Sequence, residues 1–270
     1  MSRLAAIETL IGGSPRQLCW RIGYPVIGVG ALLAIWWLGG LYIAAQPDLF
    51  AFTRFAPSAA LPAAWGLLTS GDLFDAATAS LQRIGWGMLI ATFIAVPTGI
   101  VVGLWEVLQR ATSFPFQLLR MVSPLAWMPI AVMIFATWDG AIIFLITMAA
   151  IWPILFSTAF AVQRIDPLHA RVARNLGAPF MGRLKRLILP AIAPDVLAGI
   201  RLALGVAWVV LVPAEYLGVT SGLGYAINDA RDILAYDRLA ALVLWIGIIG
   251  YLLDSIVVAL MRQVSWQHGN

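Results

Sequence analysis

Apolar runs long enough to cross a bilayer recur along this chain, and that recurrence constrains its fold more than any motif. They cover residues 24–45, 84–104, 114–137, 141–162, 191–216 and 239–261. A helix of about 20 residues spans the hydrocarbon layer and satisfies its own backbone there, which an open strand or loop cannot do. With 61% hydrophobic and 11% charged residues among 270, the chain cannot hide its apolar surface in one water-soluble core, because soluble domains are about one quarter charged. The reading is an all-α integral membrane protein with six transmembrane helices.

The charges orient these runs. If both termini are cytoplasmic, Arg3, Arg16, Arg21, Arg110, Arg120, Arg164, Arg171, Arg174, Arg183, Lys185, Arg186 and Arg262 gather on or near that side, and Arg54, Arg83, Arg231 and Arg238 fall outside. That is the positive-inside pattern. A net charge of only +4, collected near membrane ends, speaks for topology and against nucleic-acid binding. The first run exceeds a signal-peptide core and is read as an uncleaved helix. Cys19 is alone, so the chain has no disulfide framework or thiolate cluster of its own, and His169 and His268 lack partners at metal-ligand spacing. The only lysine, Lys185, is followed by Arg186, which excludes a P-loop, and neither GxSxG nor HExxH occurs. No catalytic, cofactor-binding or metal residue is expected, and the chain is not read as an enzyme.

Within the runs several residues stand out. Gly99 and Gly103 form a GxxxG that lets another helix approach closely. The third run is interrupted by Pro115, Pro124 and Pro129 and follows a short turn at Glu106 and Arg110; broken backbone at membrane depth belongs against the bundle or a pathway. Pro124, Trp127 and Pro129 are therefore possible pathway or gate residues, with Glu215 at the end of the fifth run. Arg201 and Asp254 fall at matching depth in the fifth and sixth runs, and charges there are costly unless paired, so a contact between them is expected. Leu73, Ala77, Leu81 and Ile84 repeat at helical spacing, which predicts an interfacial helix before the second run. A second interfacial segment is expected over 225–235, entered through a flexible stretch at Gly218, Gly222 and Gly224. Asp72, Asp75, Asp229, Asp232 and Asp237 lie on or beside these two segments with few basic residues among them.

The stretch from Arg171 to Pro190 is the interval best suited to being held by another protein in water. Leu168, Val172 and Leu176 recur at i, i+4 and i+8, giving a short helix one apolar stripe with Arg171 and Arg174 beside it. Gly177 ends that helix, and Ala178, Pro179 and Phe180 make the turn. Met181, Leu184, Leu187 and Ile188 then form a second amphipathic run until Pro190 opens the next span.

Gly177 followed at fixed spacing by Leu187-Ile188-Leu189-Pro190 resembles the EAA loop of binding-protein-dependent ABC importer permeases, and Ala173, Arg174 and Leu176 fit its upstream run. Arg171 stands where that family has glutamate. Ser123 to Pro129, Ile151 to Ile154, Gly199 to Trp208, Ala214-Glu215 and Gly222 to Tyr225 look like the nitrate/sulfonate/taurine (bicarbonate) branch, so the resemblance covers roughly 62–262. It implies a type I importer permease fold. On this reading residues 1–61 hold a cytoplasmic tail, the first helix and an outer loop, residues 62–262 the permease core with its cytoplasmic loop 163–190, and residues 263–270 a cytoplasmic tail.

The resemblance further implies a bacterial inner-membrane location and a small anionic solute such as nitrate, bicarbonate, cyanate or taurine. Its partners would be a second permease subunit, most simply another copy, two ATPase subunits that hold ATP and Mg, and an external substrate-binding protein. Leu168, Arg171, Val172, Arg174, Leu176, Gly177, Ala178, Pro179 and Phe180 would couple to the ATPase, and the five outer aspartates would dock the binding protein. The alternative, an ATP-independent carrier or channel, would need an ion site drawn from Arg201, Glu215 and Asp254.

Overall fold

A computed structural model describes residues 15–266; the side chains of residues 15–22, 50, 170, 174 and 263–266 are outside that description. The expectations for Arg3, the first residues and the tail beyond 266 therefore lie outside the described residues. Every described element is a helix. In order these are α1 (Pro15–Ala44), a 3-10 segment (Pro47–Phe55), α2 (Pro57–Ser70), α3 (Asp72–Leu104) and α4 (Glu106–Met121). A 3-10 turn (Pro124–Trp127) leads to α5 (Met128–Ile134), followed by α6 (Trp138–Gln163), α7 (Pro167–Asn175) and α8 (Phe180–Arg183). A π turn (Leu184–Ile188) then joins α9 (Leu189–Tyr216), and α10 (Leu223–Asp232) and α11 (Tyr236–Trp266) complete the chain. Among the described residues five helices are long and apolar enough to cross a membrane, or six if α4 and the segment from Pro124 to Ile134, bent by 86° between them, count as one span.

α6 is the axis of the bundle. Ile142, Leu145, Ile146, Ala150 and Ile154 are fully buried along it. α3 reaches it through a stripe of small residues at four-residue spacing: Gly87, Ala91, Ala95, Gly99 and Gly103. A Cβ on Gly99 would sit 2.7 Å from Thr158 Cβ and 2.8 Å from the Leu155 carbonyl, and one on Gly103 would sit 2.7 Å from Val162 Cβ. The GxxxG pair is thus the visible end of a longer seam that lets two backbones close together. α9 uses the same device on another side of α6, with Gly199 against Ser157 and Ala203 and Ala207 fully buried.

α11 and α2 make a smaller unit, in which Trp245 Nε1 donates to the Ala64 carbonyl at 2.9–3.0 Å spacing typical of a good hydrogen bond, here 3.0 Å. α1 stays peripheral. None of its membrane window is buried within the chain, and it is tied down mainly where Trp36 Nε1 donates to the Phe55 carbonyl at 2.9 Å.

Several boundaries differ from the sequence reading. Leu73 to Ile84 is not a separate interfacial helix but the first turns of the continuous α3; the short helix beside it is α2. Glu106 and Arg110 are not in a turn but form a 2.6 Å i,i+4 ion pair at the start of α4. Pro115 is accommodated inside α4, and the break comes at Val122 and Ser123, where the residue before Pro124 is held extended. Pro190 stands in the first turn of α9, as expected, but α9 is continuous with the helix before it. Its missing N–H is absorbed by the π turn, in which Leu189 N–H reaches back to the Leu184 carbonyl, so the helix runs on from Phe180 to Tyr216.

Candidate functional site

Two ends of the bundle carry the candidate residues. At one end α7 projects as a short helix capped on both sides. Asp166 Oδ1 accepts the Leu168 N–H at 2.8 Å. Beyond the other end Gly177 takes φ 74°, and Ala178 N–H donates to the Ala173 carbonyl at 3.0 Å, the hydrogen bond that closes a helix through a left-handed glycine. The expected stripe is present and uncovered in the single chain: Leu168 is 60%, Val172 49%, Leu176 81% and Phe180 50% exposed. Arg171 is exposed beside it, Ala178 is half-buried and Pro179, with extended backbone, is the N-cap of α8. Arg174 belongs to α7, and its side chain lies outside the description. Two caps on one short helix fix its length and exit direction, which suits a rigid contact element better than a loop.

Arg201 on α9 and Asp254 on α11 meet as a bidentate pair, Nε to Oδ1 at 2.7 Å and Nη2 to Oδ2 at 2.8 Å. The pair ties the two helices together while keeping side-chain exposures of 46% and 43%, so it closes the bundle's flank rather than its centre.

At the end opposite α7 lies a buried polar hub that the sequence reading did not foresee. Arg83, expected among the outer loop charges, is a buried residue of α3. Its Nε donates to Asp139 Oδ1 at 2.7 Å, its Nη1 to Glu215 Oε1 at 2.7 Å and to the Ser221 carbonyl at 2.8 Å, and its Nη2 to Ser221 Oγ at 2.7 Å. Glu215 is 0% exposed. It also accepts from Ser80 Oγ at 2.8 Å and from the Gly224 N–H at 2.9 Å. In this conformation Glu215, read as a pathway or gate group, is a fully engaged anchor. The glycines read as a flexible entry serve close packing instead: a Cβ on Gly222, at φ 110°, would lie 2.6 Å from Arg83 Nη1, and one on Gly224 would lie 2.8 Å from Glu215 Cβ. The signal for this hub was a lone arginine within a helical pattern, which looks like a loop charge until α3 is known to be continuous.

The five aspartates expected on the outer side are only partly brought together. Asp72, Asp75 and Asp229 line a shallow cavity of about 230 Å³ with Arg238 among them. Asp72 pairs with Arg238 at 3.3 Å, and Asp232 pairs with its neighbour Arg231 at 2.8 Å; Asp237 stands in the first turn of α11, outside the cavity. The expectation of few basic residues among these acids is corrected by those two arginines.

A larger cavity of about 800 Å³ lies between α4, α6 and α9. Gln109, Thr112, Ser113, Gln117 and Arg120 form the polar stripe that α4 turns toward it, while Val107, Phe114, Leu118 and Met121 are exposed elsewhere on the helix. Arg120, placed by the sequence near the cytoplasmic edge, stands at the far end of α4, with its guanidinium 5.5 Å from the centre of the Phe156 ring. Of the expected gate residues, Trp127 packs partly buried against the main core, Pro124 is half-buried at the break and Pro129 is exposed.

Residues 95–266 match the family described as binding-protein-dependent transport system inner membrane component. The chain is 38% identical over 194 residues to the bicarbonate transport system permease protein CmpB of Synechococcus elongatus, covering 71% of this chain and 69% of that protein. It is 35% identical over 189 residues to the nitrate import permease protein NrtB of Leptolyngbya laminosa, covering 70% and 68%. It is 34% identical over 197 residues to the taurine transport system permease protein TauC of Escherichia coli, covering 73% and 72%.

Proposed function

The chain belongs to the binding-protein-dependent inner-membrane transport components, in the nitrate/sulfonate/taurine/bicarbonate branch of ABC permeases, and from that premise we propose that it is the translocating subunit of an ATP-driven importer for a small anion. Its all-α, multi-pass architecture is the type I permease fold. The observation that carries the proposal is α7 with its Gly177 cap: a short, doubly capped helix whose apolar stripe finds no cover within the chain. Exposed leucine, valine and phenylalanine side chains beside Arg171 suit a groove on a water-soluble partner with an acidic rim.

In this reading α7 and both termini face the cytoplasm of a bacterial cell. Two copies of the chain clamp two ATPase subunits, ATP and its magnesium stay in those subunits, and an external binding protein delivers the solute at the Asp75 and Asp229 end. ATP binding moves the ATPase grooves, and α7 passes that motion to α9 through α8 and the π turn. The groups that an ATP-independent carrier would need for an ion site are engaged already, Arg201 with Asp254 and Glu215 with Arg83 and Ser80, which supports the ATP-driven reading.

The test is purification of the chain together with its nucleotide-hydrolysing partner, followed by uptake into proteoliposomes. Uptake that requires ATP, hydrolysable nucleotide and loaded binding protein is expected. Uptake driven by an ion gradient without nucleotide would overturn the proposal.

A further inference from the structure

Arg83 and Arg201 each have a carboxylate partner, but among the described residues no carboxylate lies within ion-pair distance of Arg120. Arg120 is exposed on the wall of this mostly apolar cavity, so its guanidinium is free to meet an anion that enters and attracts it by charge. The surroundings of Arg120 specify more than charge. Phe116, Trp152 and Phe156 form a continuous aromatic wall, with ring centroids 5.7 Å apart for the first pair and 6.3 Å for the second, and Arg120 lies over the last ring. The cavity, at about 800 Å³, falls in the range of roughly 300–1,000 Å³ typical of sites that enclose a whole small molecule. A bare inorganic oxyanion would use the cation and leave the aromatic wall without a role.

We propose that this cavity is a transit site within the permease for an organic anion, with Arg120 holding the charged head and Phe116, Trp152 and Phe156 receiving an apolar body. The proposal rests on the importer reading and narrows its solute class. Gln109, Thr112, Ser113 and Gln117 continue along α4 toward the α7 end, so the head group leaves Arg120 along a row of neutral hydrogen-bonding groups that hold it less tightly.

The experiment is calorimetric titration of the purified permease–ATPase complex, without binding protein, using butanesulfonate and nitrate as probes. Butanesulfonate binds more tightly than nitrate. Arg120→Gln weakens butanesulfonate binding roughly ten-fold or more, the range for loss of a hydrogen bond to a charged group, and Arg120→Lys recovers part of the loss. Phe156→Ala weakens butanesulfonate more than nitrate. Co-elution of each variant with the ATPase subunits reports correct folding. Equal butanesulfonate binding by Arg120→Gln, or nitrate binding as tightly as butanesulfonate, would overturn the site. Butanesulfonate binding by a complex that shows no ATP-dependent uptake of any anion would leave the site standing and remove the importer reading instead.

Discussion

Arg83 Nη1 and Glu215 Oε1 lie 2.7 Å apart, with side-chain exposures of 6% and 0%. The pair joins α3 to the end of α9, two helices that otherwise meet largely through α6. A pair this buried gains little over an apolar substitute, because desolvation offsets the Coulomb attraction. Its role is geometric: with Asp139, Ser80 and the Ser221 to Gly224 loop it sets the relative positions of four segments at the end opposite α7.

Removing one partner is therefore far worse than never having had the pair. Arg83→Leu leaves Glu215 buried with Ser80 and one backbone N–H, and should cost about 3–5 kcal/mol. Glu215→Gln keeps the shape and leaves Arg83 paired with Asp139, so its effect is smaller. Thermal unfolding of the purified protein in detergent checks the order. Wild-type stability of Arg83→Leu would show that the hub does not hold this end together.

The α3 seam makes a sharper steric prediction. Gly99→Leu pushes a side chain against Thr158 Cβ and the Leu155 carbonyl, at 2.7 and 2.8 Å from the added Cβ, and backbone cannot move as a flexible side-chain tip can. A loss of at least about 1–3 kcal/mol is expected from overpacking. Gly85, on the same helix, has nothing within 4 Å of an added Cβ, so Gly85→Ala gains up to about 1 kcal/mol from helix propensity. Unfolding midpoints that move in the same direction for both variants contradict this picture of α3.

The spans, the α7 stripe and its glycine stop, and the partnership of Arg201 with Asp254 could be read from the sequence because each depends on local spacing or on the cost of a charge in lipid. The hub and the aromatic cavity could not. Arg83 becomes an internal group only once the first turns of α3 are known to continue into the span, and apolar continuity alone does not place that boundary. Arg120 was hidden by the prolines: Pro115 suggested a broken helix where α4 is continuous, and the polar spacing from Gln109 to Arg120 crossed the assumed start of a span. Gly222 and Gly224 looked like flexibility because the carboxylate they pack around is distant in the sequence from the Ser80 and Arg83 side chains that bind it.

Arg201 and Asp254 should respond to exchange rather than to deletion. Asp254→Asn leaves Arg201 without its bidentate acceptor and reduces the yield of folded, membrane-inserted protein. The double variant Arg201→Asp with Asp254→Arg restores the pair in reverse and recovers much of that yield. Measured by membrane fractionation and gel filtration, recovery in the double variant separates a pairing role from a role specific to either side chain. No recovery, with Asp254→Asn itself harmless, argues that the pair is dispensable.

At the end opposite α7 the structure sorts the aspartates. Asp72 and Asp232 already have arginine partners, whereas Asp75 and Asp229 have no ion pair among the described residues. Replacing Asp75 and Asp229 together by lysine should weaken stimulation of ATP hydrolysis by the loaded binding protein and flatten its dependence on salt, as expected when steering charges are reversed. The variant is assayed over a series of ionic strengths. Unchanged stimulation and unchanged salt dependence would move the docking surface elsewhere.

Gly177 is the most demanding position at the α7 end. It adopts φ 74°, where a branched side chain is strained, and the Ala178 to Ala173 hydrogen bond depends on that conformation. An added Cβ meets nothing within 4 Å in the isolated chain, so the cost of Gly177→Val falls on the cap and on any partner that packs against it, not on the membrane-spanning bundle. The variant should insert and run as a folded protein, yet lose binding-protein-stimulated uptake and much of its hold on the ATPase subunit. Gly177→Asn, which tolerates the left-handed region better than other residues, should retain more of both. Uptake and co-purification measured on the three proteins give an expected order of glycine, asparagine, valine. Full uptake by Gly177→Val would show that this cap does not transmit the motion.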